Sequence, residues 1–375
     1  MMKILIILFK LHLRIIYFFL KLFKTNDKKI LLLSRQSDSP SLDFKLIQEN
    51  INKRYKDYKV VCLCRKLTRK NFIGYYFHIY KQMYYLATSK VCLIDTYIIP
   101  VSILKHKKSL TIIQLCHGVG NMKKFGYQTL DKESGKNKKI SELMNMHSGY
   151  DYLISTSKLT NEFYKEAFNV TDDKLVILGS PKIDYILNID SKKEKVLKKY
   201  PHIKDKPVIL YVSTFRTYED DYLKKFVEAA PTDKYNIIVH IHPVSYKHHP
   251  NIDEYVPEDR FYRCKDIPTV DLLSVADITI TDYSSFIFEC AIANKPTYLF
   301  VSDYDKYVEK NGLNVDIFKE LPGIAYKEAK EMFKAIEKGN YNGNALKQFK
   351  DKQIETCDGK CTKNIVDFMI KQKAN

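Results

Sequence analysis

No CxxC pair occurs among the eight cysteines of this 375-residue chain, and most of them lie inside apolar runs. A disulfide framework and a cysteine zinc site are therefore not indicated, and reduced thiols are expected. Internal repeats and low-complexity tracts are missing too. No small-residue cleavage site follows the apolar N-terminus, and Lys10 and Arg14 interrupt it, which argues against a signal peptide. The same charges argue against a spanning helix, which needs about 20 mostly apolar residues. No acidic cluster follows any apolar run of strand length, so neither a dedicated magnesium site nor a cofactor is expected. The basic residues are dispersed and match no recognition motif, so nucleic-acid binding is not expected.

What is present starts with charge. A formal net charge of +18 favours an anionic surface or substrate, because such a field concentrates phosphates. Hydrophobic residues at 45% mark a globular chain. Its length suits two domains, since a domain holds about 100–200 residues.

In "MMKILIILFKLHLRIIYFFLKLF", helical spacing puts Lys3, Lys10, Arg14 and Lys21 on one narrow stripe, with Leu, Ile and Phe over most of the rest. Such a helix can lie in the headgroup plane, its cations on anionic lipid and its apolar face in the acyl boundary. Packing on the protein itself and a true span are the alternatives.

Beyond Lys28, short apolar runs alternate with longer polar or helical stretches, the pattern of buried parallel strands. Six fall at 29–34, 58–64, 91–96, 111–116, 151–156 and 174–179. The lysine-rich stretch 192–206 reads as a linker, and four more runs follow at 207–215, 235–242, 276–282 and 296–302. The expected fold is α/β, with two Rossmann-like doubly wound domains. The expected boundaries are 1–27 for the membrane-associated helix, 28–190 and 191–350 for the domains, and 351–375 for a C-terminal helix that can return to the first domain.

Ligands of open α/β sheets bind beyond the carboxyl ends of strands, which directs attention to the residues after each run. There stand "CHGVGNMKKFG", "GSPKIDY", "STFR", "HIHP" and "TDYSSFIFE". Histidines, lysines, an arginine, small hydroxyls and glycines suit a phosphorylated ligand. His117 can take a proton from an alcohol near neutral pH. Gly118 and Gly120 remove bulk, while Lys123 and Lys124 add charge. Arg216, beside Ser213 and Thr214, can grip two phosphate oxygens, although an arginine there is as readily a surface residue. His240 and His242 share a strand face, but nothing completes a metal set, and His242 serves better as a phosphate donor. Ser284 and Ser285 open a helix whose first turn can hold an anion, with ordinary capping by Asp282 or Ser284 as the alternative. Glu289 can hold a sugar hydroxyl.

Together "CHGVGNMKKFG", "DYLISTS", "GSPKIDYI", "ILYVSTFR", "HIHP", the block from Asp271 to Tyr307 and "DGKCTKNIVDFM" resemble, in order, the motifs of the CDP-glycerol glycerophosphotransferases of wall teichoic acid and some capsules. The resemblance implies a GT-B architecture, two domains facing a cleft, with acceptor in the first and CDP-glycerol mainly in the second. It implies a monotopic enzyme at the cytoplasmic membrane face that uses an undecaprenyl-diphosphate-linked acceptor. The family's histidine base maps onto His117, although this chain reads His-Gly-Val-Gly where the family has an H-G-T-P-type motif. Donor-phosphate contacts map onto Arg216, His242, Ser284 and Ser285, with Ser213, Thr214, Asp282 and Glu289 beside them. Gly118, Lys123, Lys124, Pro181, Asp184 and Asp358 fall in supporting or acceptor-side motifs. Relatives using CDP-ribitol, nucleotide-sugar transferases of this fold and a non-catalytic surface-binding protein are the rival readings. Oligomeric state is left open.

Overall fold

In this computed structural model, residues 2–372 are described apart from 69, 70, 117, 134, 217, 219, 243, 249 and 250, with backbone alone at 247, 248 and 253. The chain divides into two units, one of residues 1–119, 125–184 and 355–375, the other of 120–124 and 185–354.

The first unit carries six strands: β1 (Asn26–Ser34), β2 (Lys59–Cys64), β3 (Ser89–Ile94), β4 (Thr111–Leu115), β5 (Tyr152–Ser155) and β6 (Leu175–Ile177). They pair in parallel in the order β2-β1-β3-β4-β5-β6. The run "ILLL" is apolar throughout because both sheet faces are covered. Leu31 and Leu33 enter one core with Ile79 and Met83, while Ile30 and Leu32 enter another with Phe44 and Ile365.

Helix α1 spans Met2–Leu20, α2 Leu42–Arg54 and α3 Phe72–Thr88. Ser41 caps α2 by accepting from Phe44 N–H, and Asp43 and Arg54 suit its two dipole ends. Phe44, Ile47 and Ile51 form the face it buries. Across the sheet, α3 buries Tyr75, Ile79, Met83 and Leu86. The helix Cys361–Lys371 lies beside α2 in the first unit, burying Ile365, Val366 and Met369.

Helix α1 packs on this unit through Leu13 and Tyr17. The stripe lysines do not all face outward. Lys10 donates to Leu143 O at 2.6 Å and Asn145 Oδ1 at 3.0 Å, and Lys21 to Lys105 O at 3.3 Å. Lys3 and Arg14 stay exposed, but most of the exposed surface of this N-terminal segment is apolar, with Ile4, Leu8, Leu11, Ile15, Phe18 and Leu22 on it. Periodicity locates the stripe, but the seat of Leu13 and Tyr17 decides which side meets the protein. No helix among the described residues is long and apolar enough to cross a membrane.

The second unit carries β7 (Val208–Ser213), β8 (Asn236–Ile241), β9 (Ile278–Thr281), β10 (Thr297–Phe300) and β11 (Ala325–Tyr326), in the order β11-β10-β9-β7-β8. Read from its first strand, this repeats the first sheet's order, so each sheet has a switch point where its first strand lies beside its third. The stretch 192–206 is no simple linker: it forms the helix Lys193–Lys199 and a short turn, whose Val196 and Ile203 are buried in the second unit's core. The lysines around those two apolar residues stay at the surface, where Lys199 pairs with Asp266 and Lys204 with Asp277.

Candidate active site

The switch point of the second sheet gathers groups from four strand ends. Asp282, just past β9, is fully buried and accepts from Thr214 N–H at 2.9 and 3.1 Å, Thr214 Oγ1 at 2.7 Å and Arg216 Nη1 at 2.9 Å. Asp303, past β10, takes Arg216 Nε at 2.7 Å and Nη2 at 3.1 Å. Arg216 is only 1% exposed, with Nη1 also donating to Thr214 O at 2.8 Å and the rings of Tyr222, Tyr283 and Tyr307 around it at 4.5–5.1 Å.

That changes the part Arg216 plays. The sequence places it as a grip on donor phosphate, but here its donors are taken up by two carboxylates and a carbonyl. It cross-links the ends of β7, β9 and β10. Burial would raise the Asp303 carboxyl, yet Arg216 and the hydroxyls of Tyr218 and Tyr283 outweigh it and hold the group below its usual range. Asp303 was missed in the sequence, although the rule that found Thr214 and Asp282 points to the "SDYD" after β10.

A further cation beside Thr214 is Lys123, which has no ion pair among the described residues and whose Nζ lies 3.4 Å from Thr214 Oγ1 and 5.8 Å from the centre of the Tyr307 ring. Burial, with help from Arg216 and against the pull of Asp282, lowers its ammonium to about 8. The sequence placed Lys123 in a supporting or acceptor-side motif; the structure sets it beside Thr214, among the donor-side candidates. Its segment is strapped down by backbone bonds, Lys124 N–H to Gly312 O at 3.2 Å and Asn314 N–H to Met122 O at 2.8 Å. Gly120 is needed here for packing rather than for substrate access, since a Cβ would stand 2.7 Å from the Phe288 ring.

His242 ends the run through β8. Val244 N–H donates to its Nδ1 at 3.1 Å, so the neutral ring carries its proton on Nε2, ready to donate. Burial first and Lys123 second lower its pKa, partly offset by Asp282, which favours that neutral form. His240 bonds Thr269 Oγ1 at 2.8 Å and so has a separate task. Ser284 Oγ accepts from Phe286 N–H at 3.2 Å, which is the ordinary capping alternative; Ser285 makes no side-chain cap bond, and both are half-buried. Ser213 is buried at the end of β7, and Glu289 is half-buried one turn into the helix Phe286–Ile292.

In the first unit, His117 lies outside the described residues, beyond β4, which ends at Leu115; Gly118 after it is half-buried. Pro181 opens the helix Pro181–Leu187. Asp184 is not free for an acceptor: its oxygens accept from Cys361 N–H at 3.0 Å and Thr362 N–H at 2.7 Å, capping the helix Cys361–Lys371. Asp358 accepts from Lys360 N–H at 3.0 Å in the turn before that helix, where Gly359 takes a φ of +73°.

The family model described as CDP-Glycerol:Poly(glycerophosphate) glycerophosphotransferase matches residues 15–371. The chain belongs to this family. It is 29% identical to the teichoic acid ribitol-phosphate primase of Bacillus spizizenii, over 91% of this chain and 90% of that one. To the teichoic acid glycerol-phosphate primase of Bacillus subtilis it is also 29% identical, over 94% of each. Among solved structures, the wall teichoic acid polymerase TagF matches with a TM-score of 0.70 at 22% identity, covering 92% of this chain and 89% of that chain. At that identity the likeness speaks for the α/β fold with two parallel sheets.

Proposed function

We propose that this chain transfers glycerol phosphate from CDP-glycerol to a hydroxyl of a lipid-linked teichoic-acid or capsule acceptor, releasing CMP. The observation that carries this reading is the meeting of Lys123, Thr214 and His242 at the second switch point. A diphosphate needs positive charge and hydroxyl donors at its equatorial and leaving oxygens, and phosphoryl transfer gains most from such placement.

His117 takes the proton of the acceptor hydroxyl, and that oxygen attacks the phosphorus bearing glycerol. The bond from this phosphorus to the bridging oxygen breaks, and its electron pair leaves with CMP. Lys123, His242 Nε2–H, Ser284 and Ser285 bear on the phosphate oxygens, while Glu289 holds a ribose or glycerol hydroxyl. Arg216, Asp282 and Asp303 position Thr214. No step is assigned to a metal. The exposed apolar side of α1 rests on the cytoplasmic face of the membrane, where an acceptor with a lipid tail is found. CDP-ribitol is the second donor to weigh, because a ribitol-phosphate primase is among the relatives at 29% identity.

Purified protein is incubated with an acceptor and either CDP-glycerol or CDP-ribitol, with CMP release as the readout. Release from CDP-glycerol that persists in EDTA and is lost in His117→Ala supports the reading. Preference for CDP-ribitol replaces the donor, and binding without turnover of either makes the chain a non-catalytic surface binder.

A further inference from the structure

The first sheet's switch point carries two arginines that no carboxylate among the described residues claims. Arg35 directly follows β1 and Arg65 directly follows β2, on strands whose last residues, Ser34 and Cys64, are paired in register. Arg65 N–H donates to Ser34 O at 3.0 Å, so the two residues leave neighbouring strand ends together. Among the described residues neither side chain has an ion pair or a hydrogen bond. The Arg35 guanidinium lies 4.9 Å from the Tyr97 ring centre, and that of Arg65 lies against Gly74 in the first turn of α3, where a Cβ would stand 2.5 Å from Nη2.

The acidic groups nearby are otherwise engaged. Asp95 is buried beside Thr96, which donates to it at 3.3 Å. Asp43 accepts from Ser180 Oγ at 3.1 Å and Lys182 N–H at 2.9 Å, and Asp38 from Lys66 N–H at 3.0 Å. Two histidines border the arginines, His78 on α3 and His147, and burial foremost keeps both neutral, at about 4, with Arg65 and Arg35 respectively adding to the effect. His78 Nε2 is buried with no hydrogen-bond partner among the described residues. Two guanidiniums, an orphaned imidazole nitrogen and an aromatic wall therefore stand at a strand end with their charge uncompensated.

Beside them the surface turns apolar. On the first turns of α3, Phe72, Ile73 and Phe77 are 66%, 73% and 65% exposed. Next to α3 runs α1, held to it by His12 to Tyr80 at 2.8 Å and the Phe9–Tyr76 ring pair, with its own exposed apolar side. An anion site that borders an apolar surface fits a ligand with a phosphate head and a hydrocarbon tail.

We infer that Arg35 and Arg65 bind the diphosphate of the lipid-linked acceptor, its tail passing over Phe72, Ile73 and Phe77. The inference rests on the acceptor named above and assigns residues to it. Each guanidinium matches the paired oxygens of a phosphate, and a charge-assisted fork of this kind outweighs a neutral hydrogen bond.

Arg35→Ala, Arg65→Ala and the double variant are assayed with a saccharide acceptor carried on a short-chain prenyl diphosphate, and with the same saccharide on a neutral alkyl chain. The expected result is a rise of about ten-fold or more in KM for the diphosphate acceptor in each single variant, with the KM for CDP-glycerol and the KM for the neutral acceptor unmoved. Arg→Lys at both sites keeps the charge and the fold, and should recover part of the affinity. Equal losses on both acceptors, or none, overturn the inference. So does a loss confined to sedimentation with phosphatidylglycerol vesicles, which would make the arginines a contact for bilayer headgroups. Direct binding of farnesyl diphosphate to wild type and double variant separates the two proposals. If arginine-dependent binding persists where neither nucleotide donor turns over, the transfer reading fails and this site stands; if wild type and double variant bind it alike, the site fails.

Discussion

The two sheets share one strand order and treat their arginines in opposite ways. At the second switch point Arg216 is enclosed by Asp282, Asp303 and three tyrosine rings. At the first, Arg35 lies over the Tyr97 ring and beside the neutral His147, with no ion pair among the described residues, and Asp95, which follows β3 as Asp282 follows β9, bonds to Thr96 instead. The same side chain thus serves as an internal brace in one unit and as an open cation in the other. What decides between them is whether neighbouring strand ends supply carboxylates aimed at the guanidinium. At the second switch point the cation set beside Thr214 is Lys123, from a segment of quite different chain position.

The hardest way to break this comparison is to remove Arg216. Arg216→Met leaves Asp282 and Asp303 buried without their counter-ion, and breaking such a pair costs about 3–5 kcal/mol. Urea denaturation should show that loss. If Arg216→Met or Arg216→Lys instead keeps full stability and only weakens the donor, Arg216 is a phosphate grip after all and the contrast with Arg35 disappears.

Much of the fold was legible for a plain reason: strands covered on both faces must be apolar throughout, and all ten such runs became strands. The two-residue β11 at the sheet edge has no run to show. Side-chain partnerships were harder to see. Arg216 meets Asp303 only because parallel strands bring residues 87 positions apart to the same sheet end. Asp184 looked like a site residue in "GSPKIDYI" because a carboxylate that caps a helix from another part of the chain carries no local mark. Lys123 was found as a cation after β4, but its neighbours Thr214 and His242 could be named only once its segment was seen in the second unit. In the N-terminal helix the basic stripe was visible, whereas the hydrogen bonds of Lys10 and Lys21 to backbone carbonyls were not.

A second, smaller effect sharpens the role of Lys123. With its ammonium at about 8, the charged form is present below that pH and is lost as pH rises through it. The KM for the nucleotide donor should accordingly climb between roughly pH 7.5 and 9. Lys123→Met should raise that KM by about ten-fold or more at pH 7, and Lys123→Arg should keep affinity and flatten the alkaline rise. Full donor affinity in Lys123→Met would leave the second switch point without a cation for phosphate.

The smallest effect tests Asp95, the counterpart of Asp282. Burial, against the pull of hydrogen bonds from Ser34 and Thr96, raises its carboxyl to about 6. A carboxyl raised on folding binds its proton more tightly in the native state, so stability falls as pH rises from the ordinary carboxylate range through about 6. At pH 7 the ionised group is therefore a cost, and Asp95→Asn should raise the unfolding free energy by about 1–2 kcal/mol there while changing little at pH 4. The opposite sign at pH 7, a loss in Asp95→Asn, would mean that Asp95 is ion-paired with Arg35 in solution. The first switch point would then be a second closed brace like the one around Arg216, and Arg35 would have no charge left to offer a diphosphate.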